Sequence, residues 1–136
     1  MGERAKLLRV FIPGALPNPQ ASGSRGHWSK HAIQAKRQRE RVGMYLFEAS
    51  LTMSGHRRKI SPTLPKRVTF RVYVHNLYDD DNLRTALKPT RDALKDMSII
   101  DDDRPSSGHE FIYLQEMSRG KDARRGVEIT VEALHA

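Results

Sequence analysis

Alternating and clustered apolar positions along the chain predict four strands. Apolar side chains are concentrated in residues 5–12, directly before a Pro-Gly pair, and such a short closed run predicts a first strand. Residues 68–74 alternate apolar with polar side chains, and this period of two is typical of a strand with one buried face. Residues 109–117 and 127–134 are predicted to form the last two strands.

Two main helices are expected between these strands. The first is predicted to follow the N-cap candidate Ser29 and to run to about Ser54, through a stretch of good helix formers. The second is predicted over residues 82–96, where leucines recur at helical spacing. Pro89 is expected to kink or restart it, because proline lacks an N–H and crowds the preceding turn. The predicted order is β-α-β-α-β-β, in a chain of 136 residues that fits one domain.

Composition excludes several classes of protein. No apolar run reaches the roughly 20 residues that a membrane-spanning helix needs, and the N-terminal residues contain no long apolar stretch. Neither a membrane span nor a secretory signal is therefore expected, and the expected location is the cytoplasm. The chain has no cysteine, which excludes disulfides, thiolate metal sites and cysteine nucleophiles. Any metal must be held by oxygen or imidazole ligands.

The charge balance indicates nucleic acid as a partner. Twenty-four lysines and arginines stand against sixteen acidic residues, which leaves a net charge of +8, and such a chain attracts polyanions. A basic protein without such a partner is the alternative. Acidic residues are concentrated between Asp79 and Asp103 whereas basic residues fill the flanks, which favours a cation site facing a phosphate backbone. Each basic residue alone is equally typical of a solvated surface, but as a set they predict binding that falls steeply with salt. The candidate phosphate contacts are Lys30, Lys36, Arg37, Arg39, Arg41, Arg57, Arg58, Lys59, Lys121, Arg124 and Arg125.

Two acidic clusters, residues 79–81 and residues 101–103, carry the candidate chemistry. In an extended segment leaving a strand, positions two apart point the same way, so Asp79 and Asp81 are expected to converge while Asp80 faces elsewhere. The loop after the second helix is expected to fold back and bring a third carboxylate from the second cluster. Grouped carboxylates repel one another and persist best around a divalent cation, and Mg²⁺ or Mn²⁺ suits such oxygen ligands.

Several of these residues have alternative explanations. The acidic triplets are also typical of solvated turns, with Asp81 as the N-cap of the following helix. An EF-hand is excluded, because its loop, counted from the first aspartate, requires glycine and glutamate where this chain has Arg84 and Thr90. Trp28 and Tyr78 are candidates for stacking on unpaired bases, with core packing as the favoured alternative.

Residues 78–103, which read YDDDNLRTALKPTRDALKDMSIIDDD, resemble the signature of the RusA family of Holliday-junction resolvases. In that signature an Asp-x-Asp-Asn element precedes a helix bearing Lys and Asp-Ala-Leu, and a short apolar segment and an Asp-Asp pair follow. The span before the lysine is about three residues longer here than in the familiar form, which is close to one helical turn. The matching order in this chain is Asp79-Asp80-Asp81-Asn82, then Lys88 four residues before Asp92-Ala93-Leu94, then Ile99-Ile100 before the aspartates.

The resemblance implies an α+β fold with a small mixed β-sheet and two main helices, formed by residues 1–136 as a single RusA-like endonuclease domain. It implies that Asp79 and Asp81 bind Mg²⁺, with Mn²⁺ as a possible substitute. Lys88 would assist catalysis, Asp103 would complete the metal site, and Asp102 is the substitute for Asp103. The implied function is structure-specific hydrolysis of DNA at Holliday junctions or related branches, in recombination and repair, by a homodimer that places two opposed nicks.

Two other functions fit the same residues. One is a non-catalytic, basic DNA-binding module whose acidic clusters are only caps and turns. The other is a nuclease of the same fold that acts on flaps or forks. Because bound divalent ions can activate water and neutralise phosphate, no protein nucleophile is assigned. Lys88 is expected to counter charge on the scissile phosphate or on the leaving group.

Overall fold

The computed structural model describes residues 5–16, 28–51 and 54–135, and its fold is α+β. A four-stranded mixed sheet is combined with two main helices, the second of which is built from two consecutive segments. The order β-α-β-α-β-β predicted from the sequence is confirmed. The elements are β1 Lys6–Pro13, α1 Trp28–Ser50, β2 Lys66–Val74, α2 Asp80–Ala86, α3 Lys88–Asp96, a 3-10 turn Pro105–Ser107, β3 Glu110–Met117 and β4 Gly126–Ala133.

The sheet has the strand order β1-β4-β2-β3. Strand β4 pairs antiparallel with both β1 and β2, whereas β3 pairs parallel with β2. Parallel neighbours require a crossover connection, and α2 and α3 provide it. In the parallel pair Arg67 lies opposite Glu110 and Val74 lies opposite Met117. Strands β2 and β3 therefore start at the same end of the sheet and finish at the opposite end.

One face of the sheet is buried under the helices. Strand β2 alternates buried with half-buried residues along its whole length, as its sequence period predicts. Phe70, at the middle of that strand, is fully buried, and the core continues into both helical layers. Its largest helical members are Val42, Leu46, Leu83, Leu87 and Leu94.

The opposite face of the sheet carries paired charges. Arg67 contacts Glu110 at 3.0 Å and Arg71 contacts Glu116 at 2.6 Å. Arg9 contacts Glu128 at 3.0 Å. We call this surface the open face. Because each of these arginines has a carboxylate partner, the net charge of the protein is not concentrated there.

The second helix breaks where the sequence predicts it. Leu87 is both the C-cap of α2 and the N-cap of α3, and Pro89 lies in the first turn of α3, where its missing N–H is tolerated. The N–H of Leu87 still donates to Leu83 O at 3.0 Å, and the N–H of Arg91 donates to Leu87 O at 3.0 Å. The two segments therefore follow one another without a loop.

The first helix differs from its prediction at both ends. It begins at Trp28, so Ser29 is already helical and is not the cap, and it ends at Ser50 rather than about Ser54. The early end has a local cause, because the Ser50 hydroxyl donates to Phe47 O and the N–H of Arg58 donates to Ser50 O. The chain turns back at this point. In the described part of the chain, no helix is both long and apolar enough to cross a membrane.

Gly126, the first residue of β4, lies where the strands are too close for a side chain. Its φ is +151°, and a Cβ atom there would lie 2.3 Å from Ile12 O and 2.7 Å from Phe11 Cζ.

We expect Gly126→Ala to lower the free energy of unfolding by about 2–3 kcal/mol, measured by urea denaturation. Gly120→Ala is the control, since its φ is +119° but no heavy atom lies within 4 Å of the added Cβ. Equal losses in both variants would contradict the steric explanation.

Candidate functional site

The first acidic cluster lies where the chain leaves β2 and enters α2. Asp79 is the N-cap of α2, with φ −63° and ψ 152°, but its side chain makes no capping hydrogen bond. Its backbone oxygen accepts the N–H of Leu83 at 2.8 Å. The carboxylate of a capping aspartate normally accepts N–H groups of the first helical turn. Since the carboxylate of Asp79 accepts none of them, it remains available to another ligand.

The neighbouring aspartates are helical. Helix α2 begins at Asp80, so Asp80 and Asp81 belong to its first turn. The alternation that would align Asp79 with Asp81 requires extended backbone on both sides, and that premise is wrong for Asp81. The alternative in which Asp81 is the N-cap is wrong as well, because Asp79 occupies that position. Both helical carboxylates are exposed.

A cavity of about 340 Å³ with a mixed polar and apolar lining adjoins this cluster, and we call it the Asp79 cavity. Its polar wall combines Asp79 and Asn82 with Arg125 from the loop before β4, and Arg125 Nη2 lies 3.1 Å from His75 Nδ1. A carboxylate, an amide and a guanidinium therefore surround one space. The remaining lining residues are Ala15, Leu16, Tyr73, Val74, Asn76, Leu77 and Tyr78.

Tyr78 closes the wall of the Asp79 cavity and packs against the core. Its hydroxyl donates to Leu16 O at 3.1 Å, and its backbone forms two hydrogen bonds with the side chain of Gln115. Burial raises the pKa of Tyr78. Core packing, the favoured explanation of this residue, is therefore confirmed. The side chain of Trp28, the other candidate for stacking, lies outside the described residues.

The three aspartates of the second cluster have three different partners. Asp101 Oδ1 lies 2.7 Å from His109 Nε2, and Asp102 pairs with Arg104. The carboxylate of Asp103 is 17% exposed. It lies 3.4 Å from Lys95 Nζ and 3.7 Å from Arg91 Nε, both in α3. The loop after α3 does fold back along that helix, but it brings Asp103 to cations rather than to Asp79.

His109 fixes the start of the second cluster. Its side chain is fully buried, and its Nδ1 accepts the N–H of Lys66 at 3.2 Å, so the proton resides on Nε2 and is donated to Asp101. This hydrogen bond holds the pKa of Asp101 below its usual range. The N–H of Asp101 also donates to Pro62 O at 3.1 Å. The second cluster is thus attached to the edge of the sheet at which β2 starts.

Lys88 begins α3 and faces α1. Its side chain is 60% exposed, and Nζ lies 3.7 Å from Asp92 Oδ1. Asp92 also lies 3.4 Å from Lys95 and 4.0 Å from Arg39. The cavity that Lys88 lines is shared with Lys36 and Arg39 of α1, and neither aspartate cluster contributes to it.

The structure therefore distributes the expected catalytic residues over different places. Asp79, Lys88 and Asp103 line three different cavities, and Asp81 lines none of the cavities described above. Within residues 5–16, 28–51 and 54–135, no group of three acidic or histidine side chains is arranged to hold a metal ion. The convergence of Asp79, Asp81 and Asp103 or Asp102 that the sequence predicts is not present in this structure.

The first cluster offers carboxylates of the kind that magnesium binds. Mg²⁺ is commonly bound by one or two carboxylates, with water and substrate phosphate oxygens completing its octahedron. Asp79, whose side chain makes no capping hydrogen bond, and Asp81, exposed in the first turn of α2, offer carboxylates for such a partial ligand set. Asp103 does not, because Arg91 and Lys95 hold its carboxylate.

Several of the candidate phosphate contacts have structural partners. Arg57 and Arg58 donate to the backbone oxygens of Met97 and Leu7, so they anchor the turn after α1. Arg124 lies 3.8 Å above the ring of Phe11, on the open face. Arg41 donates to Pro13 O. Arg39 pairs with Asp96, and this ion pair raises the pKa of Arg39 and lowers the pKa of Asp96. Arg125 is exposed as well, and its Nη2 contacts the ring of His75. Among the described residues, the candidates that are exposed and have no side-chain partner are Lys30, Lys36, Arg37, Lys59 and Lys121.

Sequence reasoning missed two arginines on the crossover. Arg84 of α2 and Arg91 of α3 both lie over the ring of Tyr113, with guanidinium carbons 5.2 Å and 5.8 Å from its centroid. Their spacing of seven residues places them on one helical face, which was a visible signal. Their shared ring is on β3 and could not be identified from that spacing. His109, the partner of Asp101, was missed for the same reason.

Comparison with protein-family models and with curated proteins finds no match for this sequence. Its fold and chemistry are those of a small basic α+β protein in which the N-cap residue Asp79 makes no side-chain capping bond and lines a cavity.

The hydrogen bond from His109 makes stability depend on the ionisation of Asp101. Because the folded state lowers the pKa of Asp101, this contribution is present above the ordinary carboxyl pKa of about 4 and is lost as the pH falls through the lowered value. We expect Asp101→Asn to lower the urea midpoint at pH 7 and to match the wild type near pH 2. Asp122→Asn, in the exposed loop before β4, should change little at either pH. A deficit of Asp101→Asn that persists unchanged in acid would contradict this account.

Proposed function

We propose that this protein is a Mg²⁺-dependent endodeoxyribonuclease that cuts branched DNA, with Holliday junctions as the leading substrate. The observation that carries the proposal is the carboxylate of Asp79, which is left free at the N-terminus of α2 and lines a cavity with Asn82 and Arg125. The resemblance of residues 78–103 to the RusA signature and the net charge of +8 support it.

In this proposal Asp79 and Asp81 hold the magnesium ion, with Mn²⁺ as a possible substitute. A bound ion of this kind neutralises charge at phosphorus and activates a water molecule. Arg125 lines the same cavity, and in this proposal it contacts a phosphate next to the one that is cut. Asn82 can orient a phosphate oxygen or a water through its amide. No protein nucleophile takes part.

Lys88 and Asp103 can take part in this mechanism only if their side chains leave their present ion-pair partners. For Asp103 to join the ion, its carboxylate must exchange Arg91 and Lys95 for the metal, and the same holds for Asp102 and its partner Arg104. Lys88 is exposed and only loosely paired with Asp92 at 3.7 Å. Its ammonium can therefore move to a scissile phosphate or a leaving group, because Lys95, 3.4 Å from Asp92, still compensates that carboxylate.

A homodimer would supply the two centres that a four-way junction requires. Exposed apolar side chains on α1 support an interface there, since Met44 is 72% exposed and Phe47 flanks the same groove as Met97. The proposed setting of this activity is the cytoplasm, where the enzyme would meet recombining or repaired DNA.

A second candidate function is favoured by the second cluster. Asp101, Asp102 and Asp103 each contact a histidine or a cation, as expected of carboxylates that stabilise a loop. If the first cluster has no metal either, the protein is a non-catalytic DNA-binding module.

Cleavage in Mg²⁺ separates the two candidates. We expect the wild type to nick a mobile four-way junction in Mg²⁺ or Mn²⁺ but not in EDTA. Asp79→Asn and Asp81→Asn should each lower the rate by about 100-fold or more while DNA binding is retained. Asp80→Asn is the matched control, because it removes the neighbouring exposed carboxylate, and it should cleave normally. A wild type that binds the junction and never nicks it supports the DNA-binding module instead.

The shape of the preferred DNA is a separate question. If two centres act together as a homodimer, we expect paired, symmetric nicks in four-way junctions and slower cleavage of flaps, forks and linear duplexes, measured on end-labelled substrates under one set of conditions. Faster cleavage of a flap or a fork would reassign the substrate while leaving the nuclease chemistry in place.

A further inference from the structure

We propose that the two arginines over Tyr113 form a subsite for a phosphate group of the DNA backbone, an inference that rests on the proposed function. The subsite is a cavity of about 380 Å³, which we call the Tyr113 cavity. It is separate from the Asp79 cavity and contains none of the basic residues that the sequence pattern singles out. Its lining residues are Arg84, Arg91, Asp103, Pro105, His109, Phe111 and Tyr113.

Arg91 is fixed in place at the floor of this cavity. Its side chain is only 15% exposed, and Nη1 donates to Arg84 O at 3.0 Å and to the hydroxyl of Tyr113 at 2.9 Å. Nε lies 3.7 Å from Asp103, which is a loose ion pair. Both donated hydrogen bonds come from Nη1, and the N–H groups of Nη2 are therefore left for a further anion.

Arg84 adds a second cation to the same ring. It lies in the last turn of α2 and is exposed. Its guanidinium carbon lies 5.2 Å from the ring centroid of Tyr113, and that of Arg91 lies 5.8 Å from it. Among the described residues no carboxylate forms an ion pair with Arg84. Two guanidinium groups on one ring repel each other, and an anion bound between them relieves that repulsion.

The chemistry of the subsite favours phosphate over a base. Guanidinium groups bind phosphate oxygens through paired N–H donors, with defined geometry. A nucleobase would need an uncovered aromatic face, but Tyr113 carries both arginines and its ring also stacks on Phe70 at 5.5 Å. Asp103, the one carboxylate among the described residues that lines this cavity, is shared between Arg91 and Lys95.

The salt dependence of DNA binding tests this subsite directly. Each neutralised phosphate contributes about 0.9 to the slope of log K against log salt for duplex DNA. We expect Arg84→Ala to reduce that slope by about one, measured by fluorescence anisotropy of a labelled four-way junction in EDTA. Arg84→Lys keeps the charge and should keep the slope. Because Arg84 is exposed, its variants are expected to retain the wild-type melting temperature, which confirms that they are folded.

Arg9→Ala is the matched control, since it removes one arginine from the open face of the sheet and should leave the slope unchanged. A slope for Arg84→Ala equal to that of Arg9→Ala would overturn the proposal.

A second experiment measures the melting temperature with inorganic phosphate as the ligand. If it raises the melting temperature of the wild type but not of Arg84→Ala, while the DNA slope is unaffected by that variant, the cavity takes free phosphate and the DNA assignment is wrong. The binding measurement needs no metal and no cleavage, so its failure is distinguishable from failure of the nuclease proposal.

Discussion

The parallel pairing of β2 with β3 is the constraint on which the arrangement of this protein depends. Parallel neighbours cannot be joined by a tight turn, so the chain must return across the sheet, and α2 and α3 are that return. Strand β2 has nine residues and is therefore about 26 Å long. The first acidic cluster lies beyond the end of β2. The second is tied through Pro62 and His109 to the edge where β2 starts. One pairing thus separates the two clusters and also stacks Arg84 and Arg91 above Tyr113 of β3.

The distribution of charge follows from the same architecture. The open face of the sheet pairs its arginines with glutamates across neighbouring strands, as in Arg67 with Glu110, and such cross-strand pairs leave little net charge. The excess of cations must therefore lie on the helical side and in the loops. Exposed basic residues near the start of α1, such as Lys36 and Arg37, and Arg125 beside the Asp79 cavity belong to that side or its rim. A polyanion is thus expected to approach the helices rather than the open face.

The sequence contained much of the fold and only part of the site. Periodicity identified β2 because its alternation reports directly on burial, and Pro89 located the helix break because its effect on the backbone is local. Convergence of Asp79 with Asp103 could not be judged in this way, because it depends on how far the loop after α3 folds back. That distance is set by contacts of Asp103 with Arg91 and Lys95. Arg57 was likewise indistinguishable from a solvated arginine until its backbone acceptor, Met97 O, was known.

Two carboxylates on the helical side organise the cations around them. Asp92 contacts Arg39, Lys88 and Lys95, and Asp103 contacts Lys95 and Arg91. These carboxylates reduce the repulsion among cations that would otherwise face one another, but they do not cancel it, because the cations outnumber them. Ordered cations bind a phosphate with a smaller loss of side-chain entropy than free lysines or arginines do. If DNA binds this surface as proposed, its acidic residues would favour that binding even where they hold no metal, because they keep the basic side chains in defined positions.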